Sequence, residues 1–346
     1  MPQRTSDRFV FVAGRVGITP MLSMLRTLAD CGDTWPVLLV VAGRTADDLP
    51  HPHRALRRRL RATYAGGMTF SIAARDGDAW GVAVASKFLA VGSVVPAVRQ
   101  GVGAVATQSL ARVAYLEEVL GALSAGAEVG GALAAAVAGD DGRDQRQVGA
   151  VGATGAATFT GEGCFAWAGG VAAGDAQSAY AIQGNILTGP GVVEAMEAAW
   201  LGTAGQPLDH RLIATVLAGD AAGGDSRGRQ SAAILALAPG AGYDGCGVLA
   251  DLRVDDHPDA PRELARLHDL STLLFGGPED VEPLEGAVGA EVAGLLDAVG
   301  RGGPDVGAAL DAWMSEVNLE TRRSPGGIDA RVLTELRAAA AAAEPS

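Results

Sequence analysis

The chain has 346 residues, of which 48% are hydrophobic, so it can bury a sizeable core, and its length predicts two or three domains. Its net charge is −13, with no basic stripe in the acidic part, which argues against nucleic acid as a partner. Because no apolar run approaches a membrane span and the three cysteines lack metal or disulfide spacing, we expect a cytoplasmic protein without membrane contact.

The first segment, residues 1–67, has a signature of its own. The pattern predicts a buried strand at Phe9–Ala13, a glycine-containing turn and helix at 14–29, and a second strand at Val37–Ala42. It resembles the start of the nicotinamide-nucleotide domain of ferredoxin reductase-type flavoenzymes, where glycines let a pyrophosphate approach a helix N-terminus. Two strands and one helix are too few to close a dinucleotide site, so we interpret the segment as a fragment followed by a basic linker.

Beyond this segment, strands and paired helices follow one another. The predicted strands are 69–75, 81–86, 102–108, 147–151, 156–160, 180–184, 232–237 and 248–254. The predicted helices are 112–123, 128–138, 191–201, 208–218 and 262–275. The pattern by itself indicates the α+β class and no more.

The first two of these strands form a hairpin around the turn Asp76–Asp78, in which Gly77 can take a positive φ. Thr69 stands near the start of the first strand, and Ser86 and Lys87 end the second. Lys87 is the only lysine among 27 basic residues. Either this position needs a compact ammonium, or the lysine is an exposed charge on a loop.

Six stretches in series resemble a known family, the domain of unknown function 1028, which is placed among the Ntn hydrolases. They are Thr69–Asp76, Gly81–Phe88, Gly101–Gln108 (GVGAVATQ), Gln183–Leu187 (QGNIL), Gly223–Ser231 (GGDSRGRQS) and Asp251–Pro258 (DLRVDDHP). The resemblance spans most of the chain, from about residue 68 to about residue 275. It implies an α+β fold built as a four-layer α-β-β-α Ntn-hydrolase-like sandwich.

The resemblance also implies a mechanism in which Thr69 is the nucleophile and its own α-amine is the base. An α-amine has a pKa of about 7.7–8, against about 10.4 for lysine, so a useful fraction is unprotonated at neutral pH. This chemistry requires residue 69 to become the first residue, either because translation starts at Met68 or because the chain cleaves itself after Met68. The alternative is that Thr69 is an ordinary strand residue.

Three further residues are candidates for roles beside Thr69. Lys87 could lower the pKa of the amine, and Ser86 could support it from the neighbouring position. Asn185 follows a strand and could donate a hydrogen bond to an oxyanion, or it could simply be a turn asparagine.

A glycine-rich loop supplies the candidate substrate site. Gly224 and Asp225 suit a backbone nest, and Arg227 and Arg229 could clamp a carboxylate, although a tight loop with solvated arginines fits equally well. We predict no metal and no cofactor. His51-Pro52-His53 is interpreted as a linker, and the remaining histidines have no recognisable partner in the sequence.

The C-terminal part is predicted to be a separate helical module. A linker at 278–283 precedes helices at 291–299, 306–317 and 329–343. Trp313 and its neighbours resemble the peptidoglycan-binding appendage of some members of the family. The predicted domains are therefore 1–67, 68–277 and 284–343.

The resulting hypothesis is an N-terminal-threonine amidohydrolase, cleaving a C–N bond in a small or peptide-like amide. The first alternative is a non-catalytic oligomeric protein that binds cell-wall fragments or peptides through Trp313. The second is a fragment of an NAD(P)-dependent flavin-type reductase, which only the first segment favours. We also expect a homo-oligomer.

Overall fold

The computed structural model describes residues 9–13, 37–41 and 69–343, and the chain divides into two compact units, Met1–Ala65 and Gly66–Ser346. In the first unit, β1 (Phe9–Ala13) and β2 (Val37–Val41) pair in parallel, with Phe9 opposite Val37. The predicted turn and helix between them, and the basic linker, lie outside the described residues. None of the helices in the described part of the chain is long and apolar enough to cross a membrane.

The second unit contains two larger sheets, both antiparallel. Their strands are β3 (Thr69–Asp76), β4 (Ala79–Ser86), β5 (Pro96–Arg99), β6 (Gly103–Ser109), β7 (Arg146–Gly152), β8 (Gly155–Thr160), β9 (Gly169–Gly174), β10 (Ser178–Asn185), β11 (Ser231–Leu237) and β12 (Val248–Val254). One sheet has the order β12-β11-β4-β3-β10-β9, and the other has the order β5-β6-β7-β8. A short pair, β13 (Glu282–Pro283) with β14 (Gly327–Ile328), lies further along the chain.

Eight α-helices complete the described part of this unit. They are α1 (Ala114–Ser124), α2 (Val129–Ala138), α3 (Gly191–Gly202), α4 (Leu208–Ala221), α5 (Ala260–Phe275), α6 (Gly286–Ala298), α7 (Val306–Glu316) and α8 (Ala330–Ala343). Each helix and strand predicted beyond residue 68 is found, with boundaries that differ by a few residues. The sequence missed β5, which contains a proline, and β9, whose residues alternate too weakly to signal a strand.

The two sheets face each other, and helices cover their outer sides. Along β3, Ser71 and Ala73 point toward the second sheet, whereas Phe70 and Ile72 point toward the helices, as the two-residue period of a strand requires. Mainly alanine and valine, together with Trp80, fill the layer between the sheets, and larger apolar residues pack under α3, α4 and α5. On the other side, α1 and α2 pack on β6 and β7. The predicted α+β class is therefore confirmed.

The C-terminal helices α6, α7 and α8 enclose a core of their own. Trp313 lies in that core and is only 5% exposed, so its ring is packing material rather than an open platform for a ligand. Leu273 and Leu274 at the end of α5 also pack against this core. The predicted linker is partly ordered by strand pairing, because Glu282 and Pro283 belong to β13.

A buried ion pair ties the C-terminal helices to α5. Arg322 and Asp329 are 0% and 1% exposed, and the Arg322 Nη1 lies 2.8 Å from the Asp329 Oδ2. The same guanidinium donates to the carbonyl oxygens of Leu273 and Thr272, each at 2.7 Å. Its charge is thus paired and its donors are used, which is the condition under which a buried ion is tolerated.

We expect Arg322→Met to destabilise the protein by about 3–5 kcal/mol, because it leaves the Asp329 carboxylate buried without its counter-ion. The neighbouring Arg323 supplies a matched control, since its pairing with Asp311 is 3.5 Å long and exposed. Arg323→Met should cost at most about 1 kcal/mol. Urea unfolding midpoints of the two variants measure the difference, and equal midpoints would contradict the role given to Arg322.

Candidate functional site

Four polar residues form a row across the ends of neighbouring strands in the six-stranded sheet. Ser231 of β11 pairs with Ser86 of β4, Ser86 pairs with Thr69 of β3, and Thr69 pairs with Asn185 of β10. All four are buried, with exposures between 0% and 3%. Three of the residues predicted from the sequence, Thr69, Ser86 and Asn185, are therefore adjacent in space. We call these four residues the polar row.

The polar row faces the second sheet because residues directly opposite one another on paired strands share a face. Thr69 lies two residues before Ser71 and so occupies the same face of β3. Gln108 at the end of β6 and Gln147 near the start of β7 meet this face from the second sheet. The row is thus enclosed between two layers of strands.

The hydroxyl of Thr69 has a single hydrogen-bond partner among the described residues. Its Oγ1 lies 3.2 Å from the Oγ of Ser86, and either atom can be the donor. No histidine, carboxylate or ammonium of the described chain bonds this hydroxyl. The side chains around Thr69 therefore provide polar contacts but no general base.

Beneath Thr69 lies a chain of neutral amide and hydroxyl groups. Gln183 donates to the Ser71 Oγ at 2.7 Å, and Ser71 donates to the Gln108 Oε1 at 2.6 Å. Gln108 in turn donates to the carbonyl oxygen of Thr69 at 3.1 Å and to the Gln147 Oε1 at 2.8 Å. These bonds of Gln108, made from the four-stranded sheet, fix the backbone position of Thr69.

Asn185 closes the network on the other side of Thr69. Its Nδ2 donates to the Gln147 Oε1 at 3.0 Å and lies 3.5 Å from the carbonyl oxygen of Thr69. Its Oδ1 is buried and has no hydrogen-bond partner. An unpaired buried acceptor costs about 1–3 kcal/mol, so this oxygen is available for a donor that the described residues do not supply.

Two features of the backbone accommodate the network of amide side chains. A Cβ at Gly149 would lie 1.9 Å from the Oε1 of Gln183, so only glycine leaves room for that amide. Ile186, directly after Asn185, has a φ of 49°. A β-branched residue in the left-handed region is strained, and such strain is common where a chain positions functional groups.

The glycine-rich loop lies at the same end of β4. The Asp225 carboxylate accepts hydrogen bonds from the backbone N–H of Lys87 at 2.7 Å and of Arg227 at 2.9 Å. Burial raises the pKa of Asp225, although these N–H groups and the Arg227 guanidinium act in the opposite direction. Gly224 has a φ of 50°, which lets the loop turn toward Asp225.

The three predicted cations of this region are engaged within the chain. The Arg229 Nε lies 2.6 Å from the Asp220 Oδ1, and the Arg227 Nη2 lies 3.4 Å from the Asp225 Oδ2. Lys87 is exposed, and its Nζ donates to the carbonyl oxygen of Arg229 at 3.1 Å. Lys87 therefore sits at the rim of the site, one residue beyond the last strand pair of Thr69 and Ser86.

A cavity of about 240 Å³ opens between this loop, the end of β4 and the start of α5. Ser86, the hydrogen-bond partner of Thr69, lines it, together with Phe70 from β3. The lining residues are Phe70, Ala85, Ser86, Asp220, Ala221, Gly223, Asp225, Gly228, Arg229, Ser231 and Pro261. The predicted loop and two members of the polar row, Ser86 and Ser231, therefore border one space, whereas Thr69 and Asn185 do not line it.

Sequence reasoning missed Ser71, Gln108, Gln147 and Ser231. The available signal was a long amide side chain inside an otherwise apolar, small-residue strand, as in GVGAVATQ and QVGAVG. It also missed the partner of His268, which bonds Asp209 at 2.8 Å.

The comparisons with known proteins agree with this organisation. The family described as "Family of unknown function (DUF1028)" matches residues 69–264. The chain belongs to this family. A crystal structure of protein SPO2555 from Silicibacter pomeroyi, also assigned to DUF1028, is 30% identical, with a TM-score of 0.52, and the match covers 64% of this chain and 92% of that one. None of the curated proteins matches.

The amide network of this DUF1028 chain yields a stability prediction. Gln147→Leu should remove the acceptor of Gln108 and Asn185 and the donor to the Gly184 carbonyl oxygen. Each polar group left unpaired costs about 1–3 kcal/mol, so we expect a loss of at least about 2 kcal/mol. Gln145→Leu, at an exposed position two residues earlier, is the control and should change little. Indistinguishable urea midpoints for the two variants would refute the importance of the network.

Proposed function

We propose that this chain is an Ntn-type amidohydrolase, active on a small amide once Thr69 is its first residue. The two facing sheets with helices on both outer sides suit the α-β-β-α sandwich of Ntn hydrolases, and we propose that they form one. The observation that carries the proposal is the buried Thr69 hydroxyl, whose only described partner is the neutral Ser86. An α-amine on Thr69 itself would supply the missing base.

In the proposed reaction, the Thr69 amine takes the hydroxyl proton as Oγ1 attacks the carbonyl carbon of the amide. The C–N bond then breaks, the proton passes to the leaving nitrogen, and an acyl ester on Thr69 remains. Water hydrolyses this ester, with the amine again acting as base. The sum is one amide plus one water giving one carboxylic acid and one amine.

Asn185 has two possible roles in this proposal, and its bonding favours one. Its Nδ2 already donates to Gln147, whereas its buried Oδ1 lacks a donor. A free amine on Thr69 would have N–H groups to donate, and Asn185 is the paired residue on β10. We therefore place Asn185 first as an acceptor that orients the amine, and only second as an oxyanion donor.

The size and lining of the cavity support a small substrate. Its volume of about 240 Å³ is below the range of about 300–1,000 Å³ of drug-sized ligand pockets. Ser86, which lines the cavity, is the hydrogen-bond partner of Thr69. Arg229 and Asp225 also line it, so the cavity has side chains of both charges at its wall. A small polar amide fits this space better than a long peptide.

The freed amine is the first test. The form that starts at Met68 and loses this methionine should be acylated at Thr69 by a β-lactone, because its amine can deprotonate Oγ1. The full-length chain with an intact Met68–Thr69 bond should not react, since an amide nitrogen is not basic. Intact-mass and peptide mass spectrometry measure both.

Two controls accompany this test. Thr69→Val in the trimmed form removes the hydroxyl while keeping the shape of the side chain, and it should abolish labelling. Ser86→Ala should lower the labelling rate but keep the label on residue 69. Equal labelling of the trimmed and full-length proteins would sink the mechanism.

We further propose that Lys87 lowers the pKa of the Thr69 amine from the rim of the site. A nearby positive charge disfavours the protonated amine, so Lys87→Met should raise the amine pKa and shift the labelling rate profile to higher pH. Lys87→Arg keeps the positive charge but replaces the compact ammonium with a planar guanidinium. The proposal therefore expects this variant to lose most of its activity. If Lys87 only holds the Arg229 carbonyl oxygen, the pH profile of Lys87→Met will not move.

A further inference from the structure

A second cluster of polar side chains lies between α4 and α5, away from the polar row. Asp209 and His210 stand in the first turn of α4, and His268 lies in the middle of α5. One ligand atom from each of the three lies within 4.8 Å of the other two. Among the described residues, this is the single group of three or more His, Cys, Asp or Glu side chains with such spacing.

The three side chains are already held in place. The Nε2 of His268 and the Oδ2 of Asp209 are 2.8 Å apart, and both residues are buried, at 2% and 6% exposure. The ring of His210 meets the ring of His268 edge-on, with 4.7 Å between centroids. His210 is half-buried, so the cluster has one side open to solvent.

A simple helix-to-helix hydrogen bond explains only part of this arrangement. It accounts for Asp209 and His268, but not for the second carboxylate oxygen. Within the described part of the chain, the Oδ1 of Asp209 is buried without a hydrogen-bond partner, an arrangement that is costly if nothing binds there. Nor does it account for a third ligand-type ring at the open side.

The Asp209 carboxylate lies against both imidazoles, since its Oδ2 is 2.8 Å from the His268 Nε2 and one ligand atom from each of the three residues lies within 4.8 Å of the others. The nearest basic residue in sequence, Arg211, is engaged elsewhere, with Asp76. The cluster therefore offers one carboxylate and two imidazoles to a cation.

We propose that Asp209, His210 and His268 bind a divalent transition-metal ion of the zinc type. Two imidazoles and one carboxylate are a common donor set for zinc, with a fourth position left for water. Calcium and magnesium favour sites made of oxygen ligands, so they fit this cluster poorly. Binding of the ion releases to solvent the proton of the hydrogen bond between His268 and Asp209, and the half-buried side at His210 provides the entry path.

The ion would join two helices rather than serve the chemistry at Thr69. Asp209 and Asp220 are eleven residues apart on α4, which at about 1.5 Å per residue places them roughly 16 Å apart. Asp220 lines the cavity beside the polar row, whereas Asp209 does not. A bound ion would clamp the start of α4 to the middle of α5.

The test uses the full-length protein without a histidine tag, stripped by chelator dialysis and titrated with Zn²⁺ or Co²⁺. We expect one Zn²⁺ per chain by calorimetry, visible absorption from bound Co²⁺, and a higher thermal midpoint with Zn²⁺. His210→Ala and the bulkier His210→Gln should each weaken binding at least about tenfold. Asp209→Asn, which can still hydrogen bond His268, should do the same.

Two controls locate the site. His257→Ala removes an exposed histidine elsewhere on the described chain and should leave binding unchanged. The double variant His51→Ala/His53→Ala removes the one His-x-His sequence, and it should also bind normally. The proposal is overturned if wild-type protein binds no Zn²⁺, or if binding is lost in the double variant and kept in His210→Ala and Asp209→Asn.

Discussion

The constraint on which this structure depends is that polar groups enclosed between two sheets must hydrogen bond one another. Gln108 and Gln147 reach from one sheet to the carbonyl oxygens and amides of the other. Because these amides are buried, losing a bond is costly, so strand position, side-chain length and register are fixed together. The start of β3, at Thr69, is therefore among the most constrained points of the described structure.

This network also explains why the inter-sheet layer is built from alanine, valine and glycine. Long amides need space, and a glycine such as Gly149 provides it where a Cβ would collide with Gln183. Elsewhere small residues such as Ala73 and Ala106 let the sheets approach closely enough for the amides to bridge them. Among the described residues, the side-chain oxygen that the network leaves unpaired belongs to Asn185, the strand partner of Thr69.

The two ends of helix α4 carry different polar contacts. At its C-terminal end, Asp220 pairs with Arg229 and lines the cavity beside the polar row. At its N-terminal end, Asp209 bonds His268 of α5. Since α5 also contributes Pro261 to the cavity, both helices border the space beside Ser86.

Much of the fold follows from patterns that are local in sequence. The alternation in 69–76, the turn at Gly77 and the helical periodicity after it are short-range features, so they predict elements without knowledge of the tertiary structure. Strands β5 and β9 were not predicted, because β5 begins with a proline and β9 is a run of small residues, and neither shows alternation of polar and apolar residues. The sequence likewise predicts a threonine near the start of one strand and a serine and an asparagine at the ends of two others, but it does not say which strands are neighbours.

Only the tertiary structure shows which of these strands are adjacent in the sheet. The order β11-β4-β3-β10 brings Ser231, Ser86, Thr69 and Asn185 into one row, although they are spread over more than 160 residues of sequence. It also gives Lys87 a partner at the rim. The sequence by itself determined the residue types available for chemistry, because composition and local periodicity are written into it. Which groups share a buried space depends on long-range pairing between strands, which no local pattern encodes.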